Sequence, residues 1–368
     1  MSTACVTLSA AAGIASVPHV SYAPDLPPPL DPPADPSLRG ALRALRTLFG
    51  DEALGSAGTG LPLERTALRG DPPKVAPCVL LESAGARAVA VPEVPLVAAF
   101  LDGVQRSHVV GYVSGSPLVH ASVAAAVRQR VDRRLETWRA PSVHRALFAS
   151  RARLGDAAWD HLIARGVSVV DITAEYAAEE LPVHPIALRA RALELVALER
   201  EALERRLAAD WCRSETRWLW IDGGISGNLA VDEQATAFGV VKSHTTLYGT
   251  TEQVAAALAL REAERSPVFL VGHRPRRAVA SWYLRLRTGA DGDPLHGLVR
   301  VEIPPPAELS RTGELTAAMR DRLSAHADRI AAGILAERAP LSLPDPRWDT
   351  LTYGIHACEM YLDALVGS

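Results

Sequence analysis

Two aspartates in this chain share one setting. Phe100-Leu101-Asp102-Gly103 and Trp220-Ile221-Asp222-Gly223 each place an acid at the end of an apolar run, with a glycine behind it. The pattern predicts two strands that end on a carboxylate, where the glycine lets the backbone turn and a ligand come close. Taken singly, each Asp-Gly pair also suits an ordinary turn. Two carboxylates side by side repel unless positive charge lies between them, and a hard divalent cation such as Mg²⁺ or Mn²⁺ supplies it. Glu194, in Arg191-Ala192-Leu193-Glu194 ahead of Asp222, offers a third carboxylate on the same helical side as Leu198 and Glu201, with Glu201 or Glu204 as alternatives. Lys242, in Gly239-Val240-Val241-Lys242-Ser243-His244, marks another strand end, placed to hold a phosphate or a nucleophilic water. His356 adds a neutral imidazole, a good partner for carboxylates around a metal. Asp, Glu, Asp and His in this order predict two-metal phosphodiester hydrolysis: one ion activates water and the other steadies the leaving oxygen, about 4 Å away.

Strands and helices must position these groups. Short, β-rich runs at 79–81, 88–91, 96–101 and 108–113 are bounded by Gly, Pro or Asp and predict consecutive strands. Residues 118–138 suit either period and are assigned to a long strand running into a charged segment. From Pro185 to Trp211 the pattern turns helical, with Leu188, Ala192, Leu195, Leu198 and Ala202 on one face. Strands follow at 218–221, 237–241, 268–271, 278–286 and 298–303, then helices near 314–337 and 350–365. Strands first and alternating elements later predict an α/β domain around a mixed sheet. It spans 75–368. Residues 1–74 form an arm: eight prolines between Pro18 and Pro36 forbid helix or sheet, a short helix with Leu38, Leu42, Leu45 and Leu48 follows, and glycines at 55–60 break it.

Composition removes several function classes. With 39 basic and 42 acidic residues the net charge is −3, so no global field draws the chain to nucleic acid or membranes, and any such binding is local. Only Lys74 and Lys242 are lysines, so arginine abundance reflects a compositional bias. The four cysteines form no CxxC pair, which excludes a zinc ribbon and fits a reducing cytoplasm. The first 38 residues hold no Lys or Arg and no apolar run reaches the roughly 18 residues of a membrane span, so a soluble cytoplasmic protein is expected.

The motifs in sequence, from Asp102-Gly103 through Arg191 and Glu194, Leu219-Trp220-Ile221-Asp222-Gly223, Val241-Lys242-Ser243 and Ser281-Trp282-Tyr283-Leu284-Arg285 to His356, resemble the NurA nucleases. The resemblance covers about 75–368. It implies an RNase H-like fold, Mn²⁺ or Mg²⁺ dependence, a homodimer, and partnership with the hexameric translocase HerA in DNA end resection, repair or antiphage defence. It differs in carrying Trp348 eight residues before His356, where the family has Tyr, and Gly224 where it usually has Ser. DNA contact is expected from Arg274, Arg276, Arg277 and Arg285, with Trp282 or Tyr283 stacking on an unpaired base. An RNase H-like nuclease acting on RNA and a catalytically silent scaffold of a translocase complex are the competing readings.

Overall fold

A run of small apolar residues buried on both faces of the sheet builds the centre of the molecule. In the computed structural model, which describes residues 37–53 and 72–367 except 94, 133, 178–179, 227–230, 232–235, 273–277, 289–292 and 339–348, two long strands form the hairpin there. They are β4 (Ala99–Val113) and β5 (Ser116–Val131), joined through Ser114 and Gly115, both at positive φ. The chain reaches them through α1 (Leu38–Ala53) and the short strands β1 (Lys74–Ala76), β2 (Val79–Leu80) and β3 (Arg87–Ala88). Next come β6 (Arg134–Thr137), β7 (Ser142–Ala149), α2 (Arg151–Leu154), α3 (Asp156–Ala164), β8 (Val169–Asp171) and the long α4 (Pro185–Ser214). The second half holds β9 (Leu219–Asp222), β10 (Ala237–Val241), β11 (Thr246–Tyr248), α5 (Thr251–Leu258), β12 (Glu264–Arg265), β13 (Phe269–Val271), β14 (Val279–Arg285) and β15 (Leu298–Ile303). Three helices close the chain: α6 (Ala307–Thr312), α7 (Ala317–Glu337) and α8 (Tyr353–Val366).

The main sheet runs β2-β13-β14-β15-β10-β9-β4-β5-β7-β8. β4 pairs antiparallel with β5 and parallel with β9, and β9 pairs parallel with β10, so the sheet is mixed. Its two faces have different covers. Leu101, Val123, Ala125 and Ile221 pack against Leu188, Ala192, Val196 and Leu203 of α4. On the other face Phe100, Trp220 and Val240 meet Ile330 and Ile334 of α7 and Ile355 of α8, while Ala124 and Ala126 meet Cys358 and Leu362 of α8. This is an α/β architecture with helices on both faces.

Two expectations change, and the long strand expected from residue 118 is present as β5. The runs at 96–101 and 108–113 belong to one strand, because Asp102 to Ser107 keep their pairing with β5 and the strand does not stop at Gly103. Residues 118–131 are strand, with every residue from Ser116 to Val127 buried. The helix assigned to the arm is part of the body: Ala41, Ala44 and Leu45 of α1 pack with Val110, Leu118, Leu147 and Trp159, and residues 34–368 form one unit. The Pro-rich stretch 18–36 and the glycines at 55–60 lie outside the described residues. Among those residues no helix is long and apolar enough to cross a membrane.

Candidate metal centre

Asp102 and Asp222 become neighbours through strand register. β4 and β9 run parallel with Leu101 beside Ile221, so the next residue of each, an aspartate, projects to the same face. That face is covered by α8, which lies close because it carries glycine where it crosses Phe100: a Cβ on Gly354 would stand 2.2 Å from the ring. Ala124 and Ala126 on β5 leave room for Cys358 and Leu362 one and two turns on. The close approach brings Glu359 over the strands, and one carboxylate oxygen each from Asp102, Asp222 and Glu359 lies within 4.8 Å of the others.

Three carboxylates so close make a charge-starved site. Asp102 is 7% exposed, and burial first, then the charges of Asp222 and Glu359, hold its carboxyl well above the usual range. Lys242 and the Gly103 N–H, which donates to Asp102 Oδ1 at 2.7 Å, oppose that rise. Lys242 Nζ spans the Asp222 carboxylate, 2.9 Å from Oδ1 and 3.0 Å from Oδ2. The group opens into a cleft of about 500 Å³ lined also by Ser243 and Asp363. An all-oxygen donor set with one lysine against three acids fits a hard divalent cation.

Glu204 reaches the same strands from the α4 face. The backbone at Gly103 clears space for it, since a Cβ there would lie 2.1 Å from Glu204 Oε1. Burial pushes the Glu204 carboxyl up to about 7; the ion pair with Arg200 opposes this, while Glu201 and Asp222 add to it. Arg200, Glu204 and Asp222 line an adjoining cleft, and Arg200, Asp222 and Gly223 line both.

The expected site residues fare differently. Asp102, Asp222 and Lys242 come together. Glu194 does not join them: it is exposed, paired with Arg191 at 2.8 Å, and stands ten residues before Glu204, about 15 Å along the helix axis. Glu201 is half-exposed and pairs with Arg205 at 3.5 Å. From α8 it is Glu359 and not His356 that enters the acid group; His356 Nδ1 is buried behind it, 3.8 Å from Glu359 Oε2. Arg285 is no DNA ligand, since its buried guanidinium donates to the carbonyls of Leu258, Leu260, Pro294 and His296 inside the fold. Trp282 and Tyr283 are likewise buried and cannot stack on a base. Arg274, Arg276, Arg277 and Trp348 lie outside the described residues.

Sequence reasoning missed Glu359, because the helix stripe is legible in the sequence but its position over Asp102 is not. Ile355, Cys358 and Leu362 mark the buried stripe of α8, and the packing of that stripe on the sheet, not its sequence, sets Glu359 rather than His356 beside Asp102. No family model matches the chain, and no curated protein matches it.

Proposed function

We propose that this protein is a Mn²⁺- or Mg²⁺-dependent deoxyribonuclease on an RNase H-like sheet. The observation that carries the reading is the convergence of Asp102, Asp222 and Glu359, from two parallel strands and a helix, within 4.8 Å beside a single lysine. The strand order β7-β5-β4-β9-β10 supports it, with three antiparallel strands followed by two parallel ones, α4 on one face and α8 on the other. Asp102, Asp222 and Glu359 would hold one ion, and Asp222 with Glu204 a second. Bound there, the metal supplies an activated water and charge for the leaving oxygen. Without metal, burial holds the Glu204 carboxyl near 7, so a cation bound there would displace a proton at neutral pH. Lys242 orients Asp222 and offers its ammonium to a substrate phosphate.

The resemblance to NurA nucleases extends the proposal to a cytoplasmic homodimer working with a HerA-like hexameric ATPase. The chain has no GxxxxGK[ST] motif, so travel along duplex DNA needs an external motor.

Mn²⁺ titration by calorimetry, with and without Asp222→Asn, tests the site, and cleavage of linear DNA, RNA and hybrid strands tests the substrate. The expected result is binding lost in the variant and cleavage of DNA. Absence of binding in the unaltered protein would favour a silent scaffold; cleavage of RNA alone would favour the ribonuclease.

A further inference from the structure

The cation-site reading of Asp102, Asp222 and Glu359 raises the question of what fixes Asp222. It is followed by two glycines, and Gly223 sits at φ +101°, so the turn leaving β9 has little stiffness of its own. Contacts to the neighbouring strands supply it. Gly223 N–H donates to the Val240 carbonyl at 2.8 Å, and Ile225 N–H donates to Glu302 Oε2 at 2.8 Å. The turn lies flat on β10 because Gly239 has no side chain: a Cβ there would stand 2.5 Å from the Gly223 carbonyl oxygen and 2.9 Å from Ile225 Cγ2. Gly224 passes so near that its own Cβ would be 2.9 Å from Glu302 Oε2.

Glu302 is an unusual residue for this position. It stands opposite Gly239 in the middle of the sheet and is 4% exposed. A carboxylate there is costly unless charge and hydrogen bonds compensate it. Arg300, also buried, pairs with it, donates to Ser281 Oγ at 3.2 Å and lies over the Tyr248 ring, 5.1 Å from its centroid. The clamp thus has one rigid end in the sheet and one free acceptor, and that acceptor takes the Ile225 N–H.

We infer that Glu302 is a positioning residue for the metal centre: its carboxylate, clamped by Arg300, fixes the Gly223-Gly224-Ile225 turn and so keeps Asp222 beside Asp102 and Glu359. Glycine at 224 is part of the same device, because any side chain there would push the turn off its anchor.

The experiment compares full-length protein with Glu302→Gln, Gly224→Ala and the double variant Arg300→Met/Glu302→Leu. Each is followed by thermal unfolding without metal and by Mn²⁺ calorimetry. Replacing both members of a buried pair by apolar groups of similar size is often neutral for stability, so the double variant should unfold near the wild-type temperature. Its Mn²⁺ Kd should nevertheless rise about 10- to 100-fold, the usual effect of losing a group that orients a ligand. Glu302→Gln keeps an oxygen acceptor and should bind Mn²⁺ within a few-fold of wild type. Gly224→Ala should weaken binding without the double substitution, which keeps the test open if the double variant fails to fold. Wild-type Mn²⁺ affinity in either folded variant overturns the anchor while leaving the metal centre intact. No Mn²⁺ binding by the unaltered protein removes the centre itself, and the anchor with it.

Discussion

Asp102-Gly103 lies inside β4, four residues into a strand that runs on to Val113, whereas Asp222-Gly223 closes the short strand β9. Gly103 keeps its β-ladder pairing with Ala125, and what its missing side chain provides is space for the Glu204 carboxylate on the far face. Gly223 has open space around the position of a Cβ and is glycine for its backbone, at φ +101°. The acids differ too. Asp102 is sunk between β4 and α8 with its charge opposed by its neighbours, while Asp222 is partly exposed and held by Lys242. One dipeptide therefore performs two tasks: it plants a buried, charge-starved acid with a gap behind it, and it swings a lysine-held acid out at a strand end.

If the two acids share an ion, each is indispensable to activity. Asp102→Ala and Asp222→Ala should each lower Mn²⁺-dependent cleavage of linear DNA by more than about 100-fold, since loss of even a supporting group beside a metal costs 10- to 100-fold. Wild-type rates in a folded variant would take that aspartate out of the site. The acids should separate when stability is read without metal. Both Asp102 and Glu204 have folded-state values raised above those of the unfolded chain, so their stabilising contribution is complete below about pH 4 and is lost as pH rises through the folded values. For Glu204 the window runs from 4.5 to about 7, a loss of roughly 3 to 4 kcal/mol at about 1.4 kcal/mol per unit. Metal-free protein should melt at lower temperature as pH climbs across that window, Glu204→Gln should flatten the profile, and Mn²⁺ should remove the slope. A metal-free profile that Glu204→Gln leaves unchanged would show that Glu204 is solvated in the folded state.

The glycines sharpen the contrast. Gly223→Ala forces a side chain into a backbone region reserved for glycine, and should cost about 1–3 kcal/mol of stability, seen as a lower Tm. Gly103→Ala meets only the flexible end of Glu204, so its cost should fall on Mn²⁺ affinity more than on Tm. The reverse pattern would mean that Gly103 is needed by the strand and that the Glu204 carboxylate is elsewhere.

These contrasts also explain what the sequence could reveal. β9, β10 and β15 were legible because Leu219–Ile221, Ala237–Val241 and Leu298–Ile303 are short, β-rich runs with few charged residues among them. β4 was not read as one strand because Asp102-Gly103 has the composition of a turn, and only pairing with β5 carries the strand through it. Arg285 looked like a surface cation in an arginine-rich stretch, yet every residue of β14 is buried and its guanidinium caps carbonyls that only the tertiary fold gathers. Glu359 and Glu204 share that difficulty: each is one of two or more acids on its helix, and the choice among them is made by how the helix lies on the sheet. Gly354 against Phe100 and Gly103 under Glu204 make that choice, and neither contact has a local signature.

The smallest expected effect concerns Lys242 and separates a structural cation from a functional one. Its pair with Asp222 is partly exposed, with side chains 23% and 19% accessible, and such pairs contribute about 0–1 kcal/mol because solvent screens them and two flexible side chains must be held still. Lys242→Met should therefore shift Tm little. Its effect on metal should be the opposite of the aspartate variants: with the ammonium gone, both Asp222 oxygens are free and the field of three carboxylates is less compensated, so Mn²⁺ should bind more tightly. DNA cleavage should fall even so, because the variant has lost the cation proposed to face the substrate phosphate. Tighter Mn²⁺ with slower cleavage assigns Lys242 to the substrate, whereas weaker Mn²⁺ in step with slower cleavage would mean that it serves only to hold Asp222 in place.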